Sequence, residues 1–298
     1  MSSLVPEKYI EERRTQVDAR LNRLWKERRR YPEGIHEAME FSVMAGGKRL
    51  RPVMCLATAE TMGAKSDELV DIACALELVH TYSLVHDDLP AMDDDDFRRN
   101  RPTCHRVYGE AMAILAGDAL LTLAFELLAG WGNYYDRSDD ALLMVSELAE
   151  AAGTEGMIGG QVLDISAEGQ DASLEDIEAI NYRKTAALLR ASVRIGGIAG
   201  KADPRQMNQL SGYATALGMA FQIADDLLDL RGDISKTGKE AGSDEAREKA
   251  TYPLRIGEKN AENKANELYQ EALSYLENWG EEADILRYLA RLLVFRDK

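Results

Sequence analysis

The chain has 298 residues, 45% of them hydrophobic, which is enough for a substantial core in one large domain or two small ones, and nothing in the sequence marks a boundary between two domains. Its formal net charge of −16 argues against nucleic acid or an anionic membrane as a partner, because both attract basic surfaces. An anionic small molecule is not excluded, because a bound metal ion can invert the local charge.

Helical spacing of apolar residues predicts a first amphipathic helix over residues 7–30, ended by Pro32, and a second over residues 34–45. A long apolar helix is predicted from a cap at residues 66–68 to about residue 88, where Pro90 stops it. Further helices are predicted over residues 107–129 and 139–165, over residues 174–199 after a capping box at residues 173–176, and over residues 204–230 after the cap Asp203-Pro204. Two or three helices close the chain, and no alternating strand pattern occurs. The predicted fold is therefore all-α, a single bundle of ten or more helices around a central cavity, in one domain spanning residues 1–298.

Three cysteines, Cys55, Cys74 and Cys104, lack metal-ligand spacing and indicate reduced thiols in a cytoplasmic protein. The N-terminus has no apolar segment of signal-peptide length. No uninterrupted apolar stretch reaches about 18 residues, which predicts no membrane insertion.

Two aspartate-rich segments mark candidate metal sites. The first, DDLPAMDDDD at residues 87–96, follows the apolar helix and leads into three arginines. In the second, DDLLD at residues 225–229, Asp225 and Asp229 lie one helical turn apart, with Gln222 three residues before Asp225. Carboxylates this close raise one another's pKa unless a cation holds them ionised, and oxygen ligands on facing helices suit Mg²⁺ that also carries phosphates. One such run could be a solvated helix face; two, each following an apolar segment, favour a metal site.

Residues 46–52, GGKRLRP, are either an ordinary basic turn or a phosphate clamp, with Lys48 as a point charge and Arg51 as a bidentate donor. Along the apolar helix, polar residues recur every three or four positions and predict a stripe lining a cavity: Glu77, His80, Ser83 and Asp87. His80 could be a core histidine, but its place two turns before Asp87 favours substrate contact. Residues 231–252 are polar, contain three glycines and indicate a mobile loop or lid.

The segments GGKRLRP, HTYSLVHDDLPAMDDDDFRRNRPT, GGQVLD, YRKT, FQIADDLLD and TGKEAGSDEAREKATYP, in this order, resemble the trans-polyprenyl diphosphate synthases, and among them the bacterial farnesyl diphosphate synthases. The resemblance extends from about residue 31 to residue 298, with Asn100 standing where the family has glycine. It implies an isoprenoid synthase-like, cytoplasmic homodimer. Its implied reaction is the prenyl transfer that joins isopentenyl diphosphate to dimethylallyl or geranyl diphosphate and gives farnesyl diphosphate.

The resemblance also implies residue roles. Three Mg²⁺ ions would be bound by Asp87, Asp93 and Asp225, with support from Asp88, Asp226 and Asp229. The isopentenyl diphosphate would be held by Lys48, Arg51, His80 and Arg99. The allylic diphosphate would be held by Arg98, Lys184, Lys239 and Lys249, with Thr185 and Gln222 beside the reacting carbon. The C-terminal Arg296 and Lys298 would clamp the closed site.

Product length depends on what closes the end of the pocket. Tyr82 lies five residues before Asp87, about 7.5 Å along the helix axis, and in the family an aromatic here, with a four-residue spacer at 89–92, accompanies a fifteen-carbon product. On an ideal helix Ser83, rather than Tyr82, points along the Asp87 face, so the assignment of Tyr82 depends on the resemblance. Alternatives are a geranylgeranyl diphosphate synthase, a terpene cyclase, which would have no use for the 46–52 clamp, and a regulatory subunit, which would not need both aspartate segments.

Overall fold

A computed structural model of the chain describes residues 5–28, 31–231 and 250–295. The prediction of an all-α fold is confirmed, since in these residues the strands are limited to one hairpin with two residues in each strand. The chain divides into two compact units, Met1–Leu56 with Lys65–Val145, and Ala57–Ala64 with Ser146–Lys298.

The first unit contains α1 (Pro6–Arg28), α2 (Glu33–Val43), the start of α3 (Leu50–Thr61), α4 (Val70–Asp87), α5 (Cys104–Tyr108), α6 (Glu110–Tyr134) and the start of α7 (Ser138–Ala152). Most residues of helix α4 are buried, and it packs against α1, α2 and α6. Gly117 lets α4 and α6 approach closely, because a Cβ there would lie 2.1 Å from the His86 ring. The three cysteines are buried and form no disulfide, as predicted.

Two boundaries in this unit differ from the prediction. The segment predicted to cap α4 forms a 3₁₀ helix, Ser66–Glu68, and α4 begins at Val70 without a side-chain cap. Helix α6 begins at Glu110, after Gly109 turns the chain with a φ of 85°, and it continues to Tyr134. By length and composition alone α6 could cross a membrane, and 44% of its most apolar window is buried inside the protein. A core helix of a soluble protein passes the same test.

The second unit contains the rest of α7, α8 (Met157–Ala167), α9 (Leu174–Asn181), a π-helical turn (Tyr182–Ala186), α10 (Ala187–Ala199), α11 (Pro204–Leu230), α12 (Tyr252–Ile256), α13 (Glu258–Tyr275), a 3₁₀ helix (Glu281–Ala283) and α14 (Asp284–Val294). Helix α11 packs against α10, α13 and α14. The fully buried Tyr213 of α11 donates a hydrogen bond to the Leu286 carbonyl oxygen at 2.7 Å.

The capping box predicted at Ser173 is present, with Asp176, and the N-cap predicted at Asp203 forms a capping box with Gln206. The single helix predicted over residues 139–165 is instead the pair α7 and α8. Its break lies near Gly156, where a Cβ would meet the Ala151 carbonyl oxygen at 2.1 Å, so the turn requires glycine.

Candidate active site

In the first unit, the first aspartate segment begins at the end of α4. Asp87 is the last helical residue, and its carbonyl oxygen accepts a hydrogen bond from the Asp93 N–H at 2.8 Å, which folds the intervening residues into a compact turn. Asp88 is buried, and the Arg98 Nε donates to its Oδ1 at 2.6 Å. Burial disfavours the charged form of Arg98, but the hydrogen bond and charge of Asp88 outweigh it and raise the pKa of Arg98. Arg98 thus neutralises part of the acidic segment, and its contact with a diphosphate remains a prediction.

The arginines that follow the acidic segment lie in a short hairpin with two residues in each strand, Phe97–Arg98 and Arg101–Pro102. Phe97 pairs with Pro102, and the connecting Arg99 and Asn100 both have positive φ, 53° and 60°, as in a type I′ turn. Asparagine adopts this backbone conformation more readily than most residues, which explains why it can stand where the family has glycine.

The hairpin meets the basic loop 46–52. An Arg99 Nη donates to the Gly46 carbonyl oxygen, and a Cβ at Gly47 would lie 2.6 Å from the Arg99 guanidinium. Glycine at position 47 therefore makes room for Arg99. Lys48 is exposed on this loop and Arg51 is half-buried in the first turn of α3. The structure thus brings Lys48, Arg51 and Arg99 to one region of the first unit.

Arg49 has a structural role that the motif alone did not reveal. Its side chain is 2% exposed, and it donates to Glu77 Oε1, Asp18 Oδ1 and the Val43 carbonyl oxygen, each at 2.8 Å. Glu77 was predicted to belong to a stripe that lines a cavity, but it is equally buried and forms an ion pair with Arg49. The prediction for Glu77 is therefore wrong. A buried carboxylate without a charged partner is costly, and Glu77 packs against Arg49 instead of lining a cavity.

His80 lies among these cations. Burial of the ring, reinforced by positive charges including Arg51 and Arg99, lowers the pKa of His80 well below its usual value. A neutral histidine beside several guanidinium groups can hydrogen-bond an anion without adding charge.

The chain-length candidates lie on the same helix. Tyr82 is 5% exposed and its ring packs edge-on against His86, with centroids 5.7 Å apart. Its hydroxyl is buried and makes no hydrogen bond with the described residues. Burial and the charge of Asp87 raise the pKa of Tyr82 to about 12. Ser83 is half-buried and donates to the His80 carbonyl oxygen at 2.9 Å, so it is engaged by its own helix.

In the second unit, a row of hydrogen bonds links the predicted reaction residues. The Thr185 hydroxyl donates to Gln222 Oε1 at 2.6 Å, and Gln222 Nε2 donates to Asp226 Oδ1 at 2.7 Å. Asp226 and Asp229 are buried on α11, whereas Asp225 is half-exposed. The two bonds fix the orientation of the Gln222 amide, because its nitrogen must face the carboxylate and its oxygen the hydroxyl.

Lys184 and Thr185 belong to the π-helical turn, a feature that often marks functional sites. Gly160 of α8 packs directly on this turn, since a Cβ there would lie 2.3 Å from the Lys184 backbone nitrogen. On the other side, a Cβ at Gly218 of α11 would lie 2.6 Å from the Ala186 Cβ. The Lys184 ammonium pairs with Asp164 of α8. The GGQVLD segment, weak as a motif by itself, thus supplies both the close approach and the ion partner of Lys184.

The polyprenyl synthetase family model matches residues 32–292 of the chain. The chain belongs to the polyprenyl synthetase family. It is therefore a prenyltransferase of isoprenoid biosynthesis, and its substrates are isoprenyl diphosphates. The all-α fold of the family agrees with the architecture of both units.

Several relatives are similar over nearly the whole chain. The farnesyl diphosphate synthase of Geobacillus stearothermophilus is 42% identical over 297 residues, covering 100% of both chains. The chloroplastic geranylgeranyl pyrophosphate synthase of Catharanthus roseus is 44% identical over 270 residues, covering 90% of this chain and 75% of the relative. A crystal structure titled geranyltransferase from Legionella pneumophila aligns with a TM-score of 0.87 and 30% identity, covering 98% of both chains.

The donor set of this polyprenyl synthetase fits Mg²⁺ in chemical type. The aspartate segments offer carboxylate oxygens, the ligands that Mg²⁺ prefers. Within the part of the chain that the structure describes, no three His, Cys, Asp or Glu side chains are already gathered closely enough to hold a metal ion. Four predicted residues, Lys239, Lys249, Arg296 and Lys298, lie outside the described residues, as does most of the predicted 231–252 lid.

Proposed function

We propose that the protein is a farnesyl diphosphate synthase, which condenses isopentenyl diphosphate head-to-tail with dimethylallyl and geranyl diphosphates to (2E,6E)-farnesyl diphosphate. The observation that carries the proposal is the Thr185–Gln222–Asp226 row, which joins the π turn that also carries Lys184 to helix α11. The name of the Geobacillus relative supports the choice of product.

Three Mg²⁺ ions would be held by Asp87, Asp93 and Asp225, with Asp88, Asp226 and Asp229 in support. When bound, Mg²⁺ neutralises the charge that develops on the departing diphosphate. Lys184 adds a positive charge for the same diphosphate, and Asp164 holds that ammonium in place. Arg98, Lys239 and Lys249 complete the proposed set for the allylic substrate.

Gln222 would stabilise the allylic cation that forms when the C–O bond breaks. Its amide oxygen carries partial negative charge and keeps a lone pair beyond the one that Thr185 uses. The hydrogen bond from Gln222 to Asp226 prevents the amide from turning its positive N–H₂ end toward the cation. This row is fixed before substrate binds, so little reorganisation is needed during the reaction.

Lys48, Arg51, His80 and Arg99 would hold isopentenyl diphosphate so that its double bond lies close to the cation. The new carbon–carbon bond forms, and a C–H bond of the adduct breaks to give the new double bond. The proton passes to the released diphosphate, because the neutral His80 lies among cations that oppose its protonation.

Tyr82 would limit the product to fifteen carbons, with Ser83 beside it. Its bulk and burial on α4 support a closed end of the pocket five residues before Asp87. The competing product is the twenty-carbon geranylgeranyl diphosphate, which the name of the Catharanthus relative favours. Each added five-carbon unit buries roughly 3 to 4 kcal/mol of apolar surface, so growth continues until a side chain blocks it.

The proposal includes the organisation of the protein. Residues 1–298 would form one polyprenyl synthetase domain, which the match over residues 32–292 supports. The protein would act as a homodimer, as the family resemblance implies, and in the cytoplasm, which its three free cysteines support.

The test is to incubate purified protein with Mg²⁺, labelled isopentenyl diphosphate and dimethylallyl diphosphate, and to identify products by chromatography. The expected product is a fifteen-carbon diphosphate. It should not form when a chelator is added or when Asp225→Asn is used, and it should still form with the exposed control Asp139→Asn. A twenty-carbon product would refute the role of Tyr82. A cyclic hydrocarbon formed from a preformed allylic diphosphate, without isopentenyl incorporation, would refute the proposed reaction.

A further inference from the structure

The second unit contains a cleft of about 400 Å³ bounded by α11, α13 and the segment formed by the π turn and α10. This volume lies within the range of small-molecule sites, roughly 300 to 1,000 Å³. Its apolar lining includes Met219 of α11 together with Leu268 and Tyr275 of α13. Gly212 of α11 lets the Tyr275 ring lie against the helix, because a Cβ there would be 2.4 Å from the ring.

Arg190 is the residue of this cleft that is suited to bind an anion. It is half-buried and forms no ion pair or hydrogen bond with any residue in the described ranges. One turn later, Arg194 pairs with Glu147 and donates to Ser211 at 2.6 Å. Other arginines of the described chain that likewise make no such bond are exposed to solvent: Arg23, Arg205 and Arg291. A half-buried guanidinium has lost part of its hydration, and an anion with oxygen acceptors would restore its hydrogen bonds.

The cleft is separate from the proposed reaction residues, since none of Lys184, Thr185 and Gln222 lines it. It nevertheless touches the segments that carry them. Tyr182 lines the cleft and begins the π turn, and Met219 lies three residues before Gln222. A molecule in the cleft would therefore contact both elements that hold the Thr185–Gln222 hydrogen bond.

We propose that this cleft is a second small-molecule site, which binds an amphiphile with an anionic head group at Arg190 and a short apolar tail along Met219, Leu268 and Tyr275. The head group is a phosphate or a carboxylate, so the ligand is either a prenyl monophosphate or a fatty carboxylate. Glu271 also lines the cleft, but it is exposed to solvent, where water and salt screen its charge.

The test is isothermal titration calorimetry of the full-length protein with geranyl monophosphate and, separately, with decanoate, both in excess EDTA. The chelator removes the Mg²⁺ that the proposed allylic site needs, and the cleft variants below distinguish the cleft from the metal-free basic region at Lys48, Arg51 and Arg99. One-to-one binding of geranyl monophosphate identifies the prenyl source, and binding of decanoate identifies the fatty acid source. Decylammonium, which has a tail of the same length but the opposite charge, should not bind.

Two variants place the ligand in the cleft. Arg190→Gln removes the charge, and Thr215→Phe adds bulk to the lining of the cleft while Arg190 is kept. Each should weaken binding by about tenfold or more, whereas the exposed control Arg205→Gln should bind like the wild type. Circular dichroism checks the fold, and Thr215→Phe decides the question if Arg190→Gln does not fold. The proposal is overturned if neither ligand binds below about 1 mM, if decylammonium binds as tightly as decanoate, or if a folded cleft variant retains full affinity.

Discussion

Gly160 gives the sharpest test of how the second unit holds its reaction residues. A Cβ at this position would lie 2.3 Å from the Lys184 nitrogen and 2.6 Å from the Lys184 Cα. Because both are backbone atoms, no side-chain rotation relieves the contact. In Gly160→Ala, α8 and the π turn must separate by about 1 Å to restore an ordinary van der Waals distance.

We expect kcat of Gly160→Ala to fall about 100-fold, because a displacement of about 1 Å at a reacting group costs about this much. This corresponds to about 2.7 kcal/mol in activation free energy. Overpacking costs about 1 to 3 kcal/mol of folding free energy, partly offset by the roughly 1 kcal/mol that alanine gains over glycine in a helix. The variant should therefore remain folded while it loses activity.

The assay is the initial rate of farnesyl diphosphate formation from geranyl and isopentenyl diphosphates, with circular dichroism as the check on folding. The matched control is Gly130→Ala in α6, where an added Cβ meets no atom within 4 Å. The control should keep full kcat and gain slightly in stability. A folded Gly160→Ala with kcat within about threefold of the wild type would refute the claim that this close approach positions Lys184 and Thr185.

The remaining predictions concern the first unit. Tyr82→Ala should shift the product toward chains longer than fifteen carbons, and chromatography that shows unchanged farnesyl diphosphate would contradict the role of Tyr82. Glu77→Gln should lower the free energy of unfolding by about 3 kcal/mol in urea titration, because it leaves the buried Arg49 charge with only the half-exposed Asp18 as an ionic partner; a loss below about 1 kcal/mol would contradict this. Folding stability should fall as the pH drops below about 6.5. In the unfolded chain His80 then takes up a proton, whereas in the folded protein its lowered pKa keeps the ring neutral. This part of the pH dependence should be absent in His80→Gln, and identical pH profiles of the unfolding free energy would refute it.

The sequence by itself determined the features that depend on near neighbours along the chain. The helical class follows from apolar spacing, and the capping box at Ser173 and the N-cap at Asp203 follow from side chains that reach backbone groups only three residues away. The order of the aspartate and basic segments was enough to predict the family, which the match over residues 32–292 confirms. It also placed Thr185 and Gln222 together, 37 residues apart in the chain, and the structure joins them by a hydrogen bond.

Only the tertiary structure decided the features that depend on distant residues. The sequence assigned no role to Arg49 and placed Glu77 in a stripe lining a cavity, whereas packing pairs the two residues across 28 positions of the chain. The break between α7 and α8 and the role of Gly160 could not be predicted from helical spacing, because glycine is tolerated within a helix and only close backbone contacts make it necessary. Local patterns fix which elements form, whereas the partner of a buried charge and the spacing between two backbones are set by the elements that pack around them.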